Sequence, residues 1–197
     1  MPAQLFLIVP PELDPAQLAP VLAGAEPAAL LLQRGGQSEN GYKAWVKTVV
    51  PIAQAVGCAV LIEGEPGWVR ALNADGVHVS GSLDAVRDAV DALKPGLIVG
   101  ADATHSRHEA MSRGELDVDY LLFGPLNGEL DPTDGENAQW WAEVMEVPAV
   151  LSDPQADPAT VDPAGCEFLA VSDSVWGAAE GSAQAATAFA RRLEALP

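Results

Sequence analysis

The stretch that most constrains the fold is 97–126, LIVGADATHSRHEAMSRGELDVDYLLFGPL. A short apolar run, Leu97 to Val99, ends at Gly100, and a polar loop follows over 101–104. Ser106 with Glu109 three residues on reads as a capping box opening a helix. A second apolar run, Tyr120 to Phe123, stops at Gly124-Pro125. Strand, loop, helix and strand, with polar residues gathered where strands end, is the βαβ unit of a parallel sheet. In such units ligand chemistry sits at the carboxyl ends of the strands.

The rest of the chain repeats this unit. Apolar runs at 5–9, 30–32, 58–62, 75–79, 148–151 and 167–171 supply six more strands. Asp14-Pro15 opens a helix to Ala25. A helix over 41–56 carries Trp45, Val49, Ile52 and Val56 on one stripe, with Pro51 expected to kink or split it. A short helix spans 66–73. Ser82 caps a helix with Leu83, Val86, Val90 and Leu93 inward, and Thr133 with Glu136 forms a second capping box. The segment 152–165 promises only one weak turn, and a last helix spans 178–196. Eight strands alternating with helices predict a single-domain compact (β/α)8 TIM barrel over 1–197; an open doubly wound sheet is the alternative.

At 197 residues one substantial core is available. No apolar run is long enough for a bilayer. The N-terminal run lacks a preceding basic residue and a cleavage pattern, so the expectation is a cytoplasmic protein. Cys58 and Cys166 each open an apolar run and read as buried reduced thiols. Acidic residues number 28 against 10 basic, for a net charge of −18. That balance excludes nucleic acid and anionic membranes as partners and leaves a small molecule.

The segments LFLIVP, DGVHVSGS (75–82), IVGADATHS (98–106), DYLLFGPL (119–126) and FLAVSDSVWG (168–177) come in this order. Together they resemble the thiamine phosphate synthase family, which includes thiazole tautomerases. The resemblance implies a (β/α)8 barrel, a homodimer, and a transferase of thiamine biosynthesis. That transferase joins hydroxymethylpyrimidine diphosphate to thiazole phosphate, with Mg2+ on the departing pyrophosphate. Carried onto this chain, it implies substrate contacts from Gln33, Arg34, Glu63, His78, Thr104, His105, Gly124, Ser152 and Ser172. Asp84 falls near the family's metal-binding place, and Asp102 at a strand end is a second metal candidate.

Several positions depart from the family pattern. Its basic LRxK-like run is Leu32-Gln33-Arg34-Gly35 here, and its Asn-Asp after the third strand is Glu63-Gly64. Ser80-Gly81-Ser82 replaces the Gln and Asp after the fourth strand, and 127–131 holds no lysine. The seventh and eighth strands end in Ser152-Asp153 and Ser172-Asp173, where the family receives a phosphate. A carboxylate about 4 Å from a phosphate costs roughly 1–4 kcal/mol per unit charge, against about 0.3–1 kcal/mol from an exposed helix terminus. The departures imply an altered or lost activity. The alternatives are a non-catalytic binding or interaction barrel, or an enzyme of a different, non-phosphorylated substrate.

Read without the family, the strand ends ring one mouth with Arg34, Glu63, His78, Asp102, Thr104, His105, Asp153, Ser172 and Asp173. Carboxylates with histidines suit a divalent metal or acid–base work. The plainer alternative is a solvated rim of helix caps, with His78 bonded to backbone and His105 exposed. Arg34 beside Gly35-Gly36 suits an anion clamp. Glu63 shifts the preferred ligand toward a cationic or hydroxylated one. Of Trp140 and Trp141, only one can face the barrel, leaving the other for a partner surface.

Overall fold

A computed structural model describes residues 2–196. Eight parallel strands close into a barrel in sequence order, with β1 (Gln4–Val9) bonded to both β2 (Ala29–Leu32) and β8 (Phe168–Val171). That closure excludes the open sheet. Between lie β3 (Ala59–Glu63), β4 (Gly76–Val79), β5 (Ile98–Asp102), β6 (Tyr120–Phe123) and β7 (Ala149–Ser152). The surrounding helices are α1 (Leu18–Ala25), α2 (Glu39–Gln54), α3 (Pro66–Leu72), α4 (Leu83–Leu93), α5 (Arg107–Gly114), α6 (Pro132–Val144), α7 (Asp173–Trp176) and α8 (Ser182–Glu194).

Alternation along each strand builds two cores. Phe6, Ile8, Leu31, Leu61, Tyr120, Leu122 and Val150 fill the barrel interior. Leu7, Leu30, Val60, Val77, Val99 and Leu121 face outward, against the helices. At the amino ends of the strands, acidic residues hold the barrel in register. Asp75 accepts from the Val60 amide at 2.7 Å, Asp119 from Val99 at 2.7 Å, and Glu167 from Ala149 at 2.8 Å. Each therefore stands just before an even-numbered strand and satisfies an amide of the strand preceding it.

Several boundaries differ from the sequence reading. Strand β5 runs through Gly100 to Asp102, so residues 101–102 are strand and not loop. Helix α2 starts at Glu39 behind Ser38, which accepts from the Gly41 amide, and Pro51 does not split it. Its buried stripe is Tyr42, Val46, Val49, Val50 and Ala53, while Val56 lies outside the helix and is exposed. Tyr42 anchors that stripe, which rotates it away from the Trp45-based face. In α4 the buried face is Val86, Ala89 and Leu93, with Leu83 and Val90 at its flanks.

The cap of α6 is Asp131, accepting from the Thr133 amide, so Thr133 is already helical. Ser106 precedes α5 without capping it, and Glu109 instead accepts from the Thr104 hydroxyl at 2.6 Å. The segment 152–165, where the sequence promises one weak turn, instead makes three, opened by the carbonyls of Asp153, Asp157 and Pro163. The last helical region is broken at Gly177 and Gly181, which leaves α7 as a separate turn. Both cysteines are buried and free. Trp141 is buried against Phe123, while Trp140 is half-buried under the Arg107 guanidinium and packs on the core. No described helix is long and apolar enough to cross a membrane.

Candidate functional site at the carboxyl ends of the strands

Two cavities open at the carboxyl mouth and meet at Leu126. The larger, about 690 Å³, is lined by Gln33, Arg34, Glu63, His78 and the Ser80-Gly81 turn, among others. The smaller, about 350 Å³, is lined by Asp102, Thr104, His105, Gly124 and Asp134 against Leu122, Pro125 and Leu126. Seven of the sequence-predicted substrate positions thus line these two cavities. Ser152 and Ser172 do not.

The wall at β2 and β3 is set by Tyr42. Its buried hydroxyl donates to the Leu32 carbonyl at 2.6 Å and accepts from the Glu63 amide at 3.0 Å, tying the two strand ends together. Burial pushes the Tyr42 phenol well above its ordinary range, so it stays a neutral hydroxyl. One oxygen of Glu63 accepts from the Arg34 amide at 2.7 Å. The Arg34 side chain lies over Trp68, 5.4 Å from the ring centroid, and Lys43 approaches the same ring at 4.2 Å. Neither Tyr42 nor Trp68 stood out in the sequence; both fall within predicted helices, over 41–56 and 66–73, without being singled out. The Gln33 side-chain oxygen is buried and has no hydrogen-bond partner.

Across β4, β5 and β6, register does the positioning. His78 sits opposite Gly100, and Gly100 opposite Tyr120. A side chain at residue 100 would overlap the Tyr120 ring, so the glycine lets that ring reach across β5 to His78. The Tyr120 hydroxyl is 3.0 Å from His78 Nδ1, and the two rings lie nearly parallel. His78 Nε2 is 2.8 Å from Asp102 Oδ1. In a neutral imidazole facing an ionised Asp102, Nε2 carries the proton and Nδ1 accepts from the phenol. The backbone partner expected for His78 is replaced by these two side chains. Burial alone would raise the Asp102 carboxyl. Hydrogen bonding and charge from His78, helped by Ser80 and Arg113, outweigh it and hold Asp102 below its ordinary value.

His105 is exposed, as expected, but not unattached. Its Nδ1 is 2.8 Å from Oδ1 of buried Asp134, whose hydrogen bond and charge raise the imidazole above its usual 6.5. Thr104 precedes it at φ 60°, a left-handed conformation unusual for a β-branched residue, with its hydroxyl held by Glu109. An NMR titration should place the His105 midpoint above 6.5, and Asp134→Asn should return it toward that value. A raised pKa contributes stability below about pH 6.5 that fades as pH rises through the folded value. At an exposed side chain that contribution is small.

The loops after β7 and β8 close on each other. Ser172 and Ser174 amides both donate to the Pro154 carbonyl, at 3.2 and 3.0 Å, and the Asp153 amide donates to Ala170. The Ser152 hydroxyl donates to the Pro125 carbonyl at 2.6 Å and Ser172 to the Ile8 carbonyl at 2.9 Å. The Ser152 and Ser172 hydroxyls and the Ser172 and Ser174 amides thus all have partners within the fold. Burial raises the Asp153 carboxyl, and Asp173 is exposed.

Of the two candidate metal-binding carboxylates, Asp102 lines the smaller cavity and Asp84 lines neither. Asp84 is 85% exposed and paired with Arg87 at 2.6 Å, away from both cavities. Asp102 bonds His78 through one carboxylate oxygen and Glu63 bonds the Arg34 amide through one. Among the described residues, no group of three His, Cys, Asp or Glu side chains is placed to hold a metal ion.

Barrel closure in sequence order, with helices around it and a polar mouth at the carboxyl ends of the strands, defines a (β/α)8 barrel. The chain belongs to the thiamine monophosphate synthase family, whose model matches residues 5–172. It is 34% identical to the thiamine-phosphate synthase of Rhodospirillum centenum, over 95% of this chain and 96% of that protein. It is 33% identical to that of Hyphomonas neptunium, over 98% and 95%. The thiamine phosphate pyrophosphorylase of Pyrococcus furiosus shares the fold with a TM-score of 0.81 at 19% identity, over 97% of this chain and 95% of that one.

Proposed function

We propose that this family member binds a small, phosphate-free ligand rich in hydrogen-bond donors, and that the pyrophosphate-dependent transferase chemistry of the family is altered or lost. The observation that carries this reading is the pair of acceptors in the larger cavity. Gln33 carries a buried carbonyl oxygen without a partner, and Glu63 lines the same cavity with a carboxylate. A buried acceptor left unpaired costs about 1–3 kcal/mol, which a ligand N–H or O–H relieves. An anionic phosphate would be repelled by Glu63 and would find the Ser172 and Ser174 amides already bonded.

The test is a thermal-shift panel with hydroxymethylpyrimidine and the thiazole alcohol, each against its phosphorylated form with magnesium. A ligand at a hundred times its dissociation constant adds about 2.7 kcal/mol, or roughly 5–11 °C for a chain of this size. The expected result is stabilisation by at least one alcohol, lost in Glu63→Gln, and none by the phosphates. Stabilisation confined to the phosphorylated precursors would favour the second reading, retained thiamine phosphate synthesis. That reading is supported by the naming of the 34% and 33% identical relatives. No response to any of the four would leave a different ligand or a non-catalytic barrel.

A further inference from the structure

We propose that Asp102 makes the smaller cavity a subsite for a planar, N–H-rich cation of the amidinium type. The site stands apart from the phosphate-free reading, because its anchor, Asp102, lines the smaller cavity and not the one that holds Gln33 and Glu63.

The side chain of Asp102 is 31% exposed and lines a cavity of about 350 Å³. An ionised carboxylate has about four acceptor positions. His78 takes one, at 2.8 Å, and Ser80 is the other hydrogen-bonding side chain at this group. About two positions remain for a ligand. The buried His78–Tyr120 pair fixes the carboxylate's orientation from behind, so its aim into the cavity is set before anything binds.

The surroundings decide what kind of partner fits. Arg113 contributes positive charge from α5, but it is buried and donates to the Gly81 carbonyl at 2.6 Å. His105 is turned onto Asp134, and Asp131 adds a further negative charge beside it. Asp102 and Asp134 in the lining, with Asp131 nearby, outnumber the Arg113 guanidinium and the His105 imidazole, so the local balance is negative. Because Asp102 is held below its ordinary pKa, it is a weak proton acceptor and a persistent charge, which suits an anchor better than a general base.

Apart from Thr104, whose hydroxyl is held by Glu109, the remaining lining is apolar: Leu122, Pro125 and Leu126, with Gly124 contributing no side chain. An ammonium is strongly hydrated and leaves water at a high cost. A planar delocalised cation is weakly hydrated, packs its face on apolar carbon and presents two parallel N–H groups to one carboxylate.

Calorimetric titration of benzamidine, benzamide and benzoate tests this directly. Benzamidine should bind at least about tenfold more tightly than benzamide, the scale of a charge-assisted hydrogen bond, and benzoate should not bind. Asp102→Asn should reduce benzamidine to the level of benzamide. His78→Asn, which leaves the charge but releases its orientation, should weaken binding by a smaller factor. Amide chemical-shift changes in the unmodified protein should centre on Asp102, Thr104 and Leu122, a readout that needs no variant to fold. Equal binding of benzamidine and benzamide, absence of benzamidine binding, shifts centred on Glu63, or a folded Asp102→Asn protein of unchanged affinity would each overturn the proposal. Failure of hydroxymethylpyrimidine to bind would leave the benzamidine result unaffected.

Discussion

Gly100→Ala should lower the melting temperature by roughly 6–12 °C, corresponding to about 3 kcal/mol for a domain of this size. The added methyl group would occupy the space of the Tyr120 ring, which lies inside the barrel and is 5% exposed. Phe6 packs edge-on against that ring and His78 stacks on it, so the ring cannot swing away without repacking the interior. The consequence reaches the mouth. Displacing Tyr120 removes the 3.0 Å contact to His78 Nδ1 and with it the orientation of Asp102. Thermal melting with an NMR spectrum of the His78 imidazole would show both effects. A Gly100→Ala protein with the melting point of the parent would contradict the packing described for this layer.

Tyr42→Phe should cost about 2 kcal/mol, or roughly 4–8 °C, although it removes a single oxygen atom. The Tyr42 hydroxyl serves two backbone groups at once, the Leu32 carbonyl and the Glu63 amide. Phenylalanine fills the same space and leaves both without a partner in a buried setting, where an unpaired group costs more than a lost bond gains. Because these groups end β2 and β3, the loss loosens Gln33 and Glu63 together. The variant should bind ligands of the larger cavity more weakly while leaving the His105 titration unchanged. Denaturant unfolding and the NMR titration separate the two; equal stability to the parent would sink this account of the wall.

The barrel was legible from eight apolar runs separated by turn and cap signals, because alternating burial writes itself directly into strand composition. The mouth was legible as a set of positions and not as a set of contacts. Gln33, Glu63, His78, Asp102 and His105 were each visible at a strand end, but their partners were not. Tyr120 read as the first residue of an apolar strand, and only the register places its hydroxyl on His78 through the gap at Gly100. Asp134 read as a helix residue until packing buried it behind His105. The closing of the β7 and β8 loops on Pro154 depends on backbone geometry that carries little sequence signature.

The two segments that point most specifically to the family also have a structural explanation. Asp75 of DGVH and Asp119 of DYLLFGPL accept amides of the preceding strands, and so hold the barrel in register. Their retention therefore accounts for the fold without requiring the family's chemistry. What the chemistry requires lies at the other end of the strands, where Arg34 is the basic residue lining the larger cavity and no lysine lines either.

The most direct test mixes the purified protein with hydroxymethylpyrimidine diphosphate, thiazole phosphate and magnesium, and follows thiamine phosphate by chromatography. A mouth built from Gln33, Glu63 and Asp102, with the Ser172 and Ser174 amides tied to Pro154, predicts no product above the uncatalysed background. Steady formation of thiamine phosphate in proportion to protein would contradict it, and would return this chain to the chemistry for which its relatives are named.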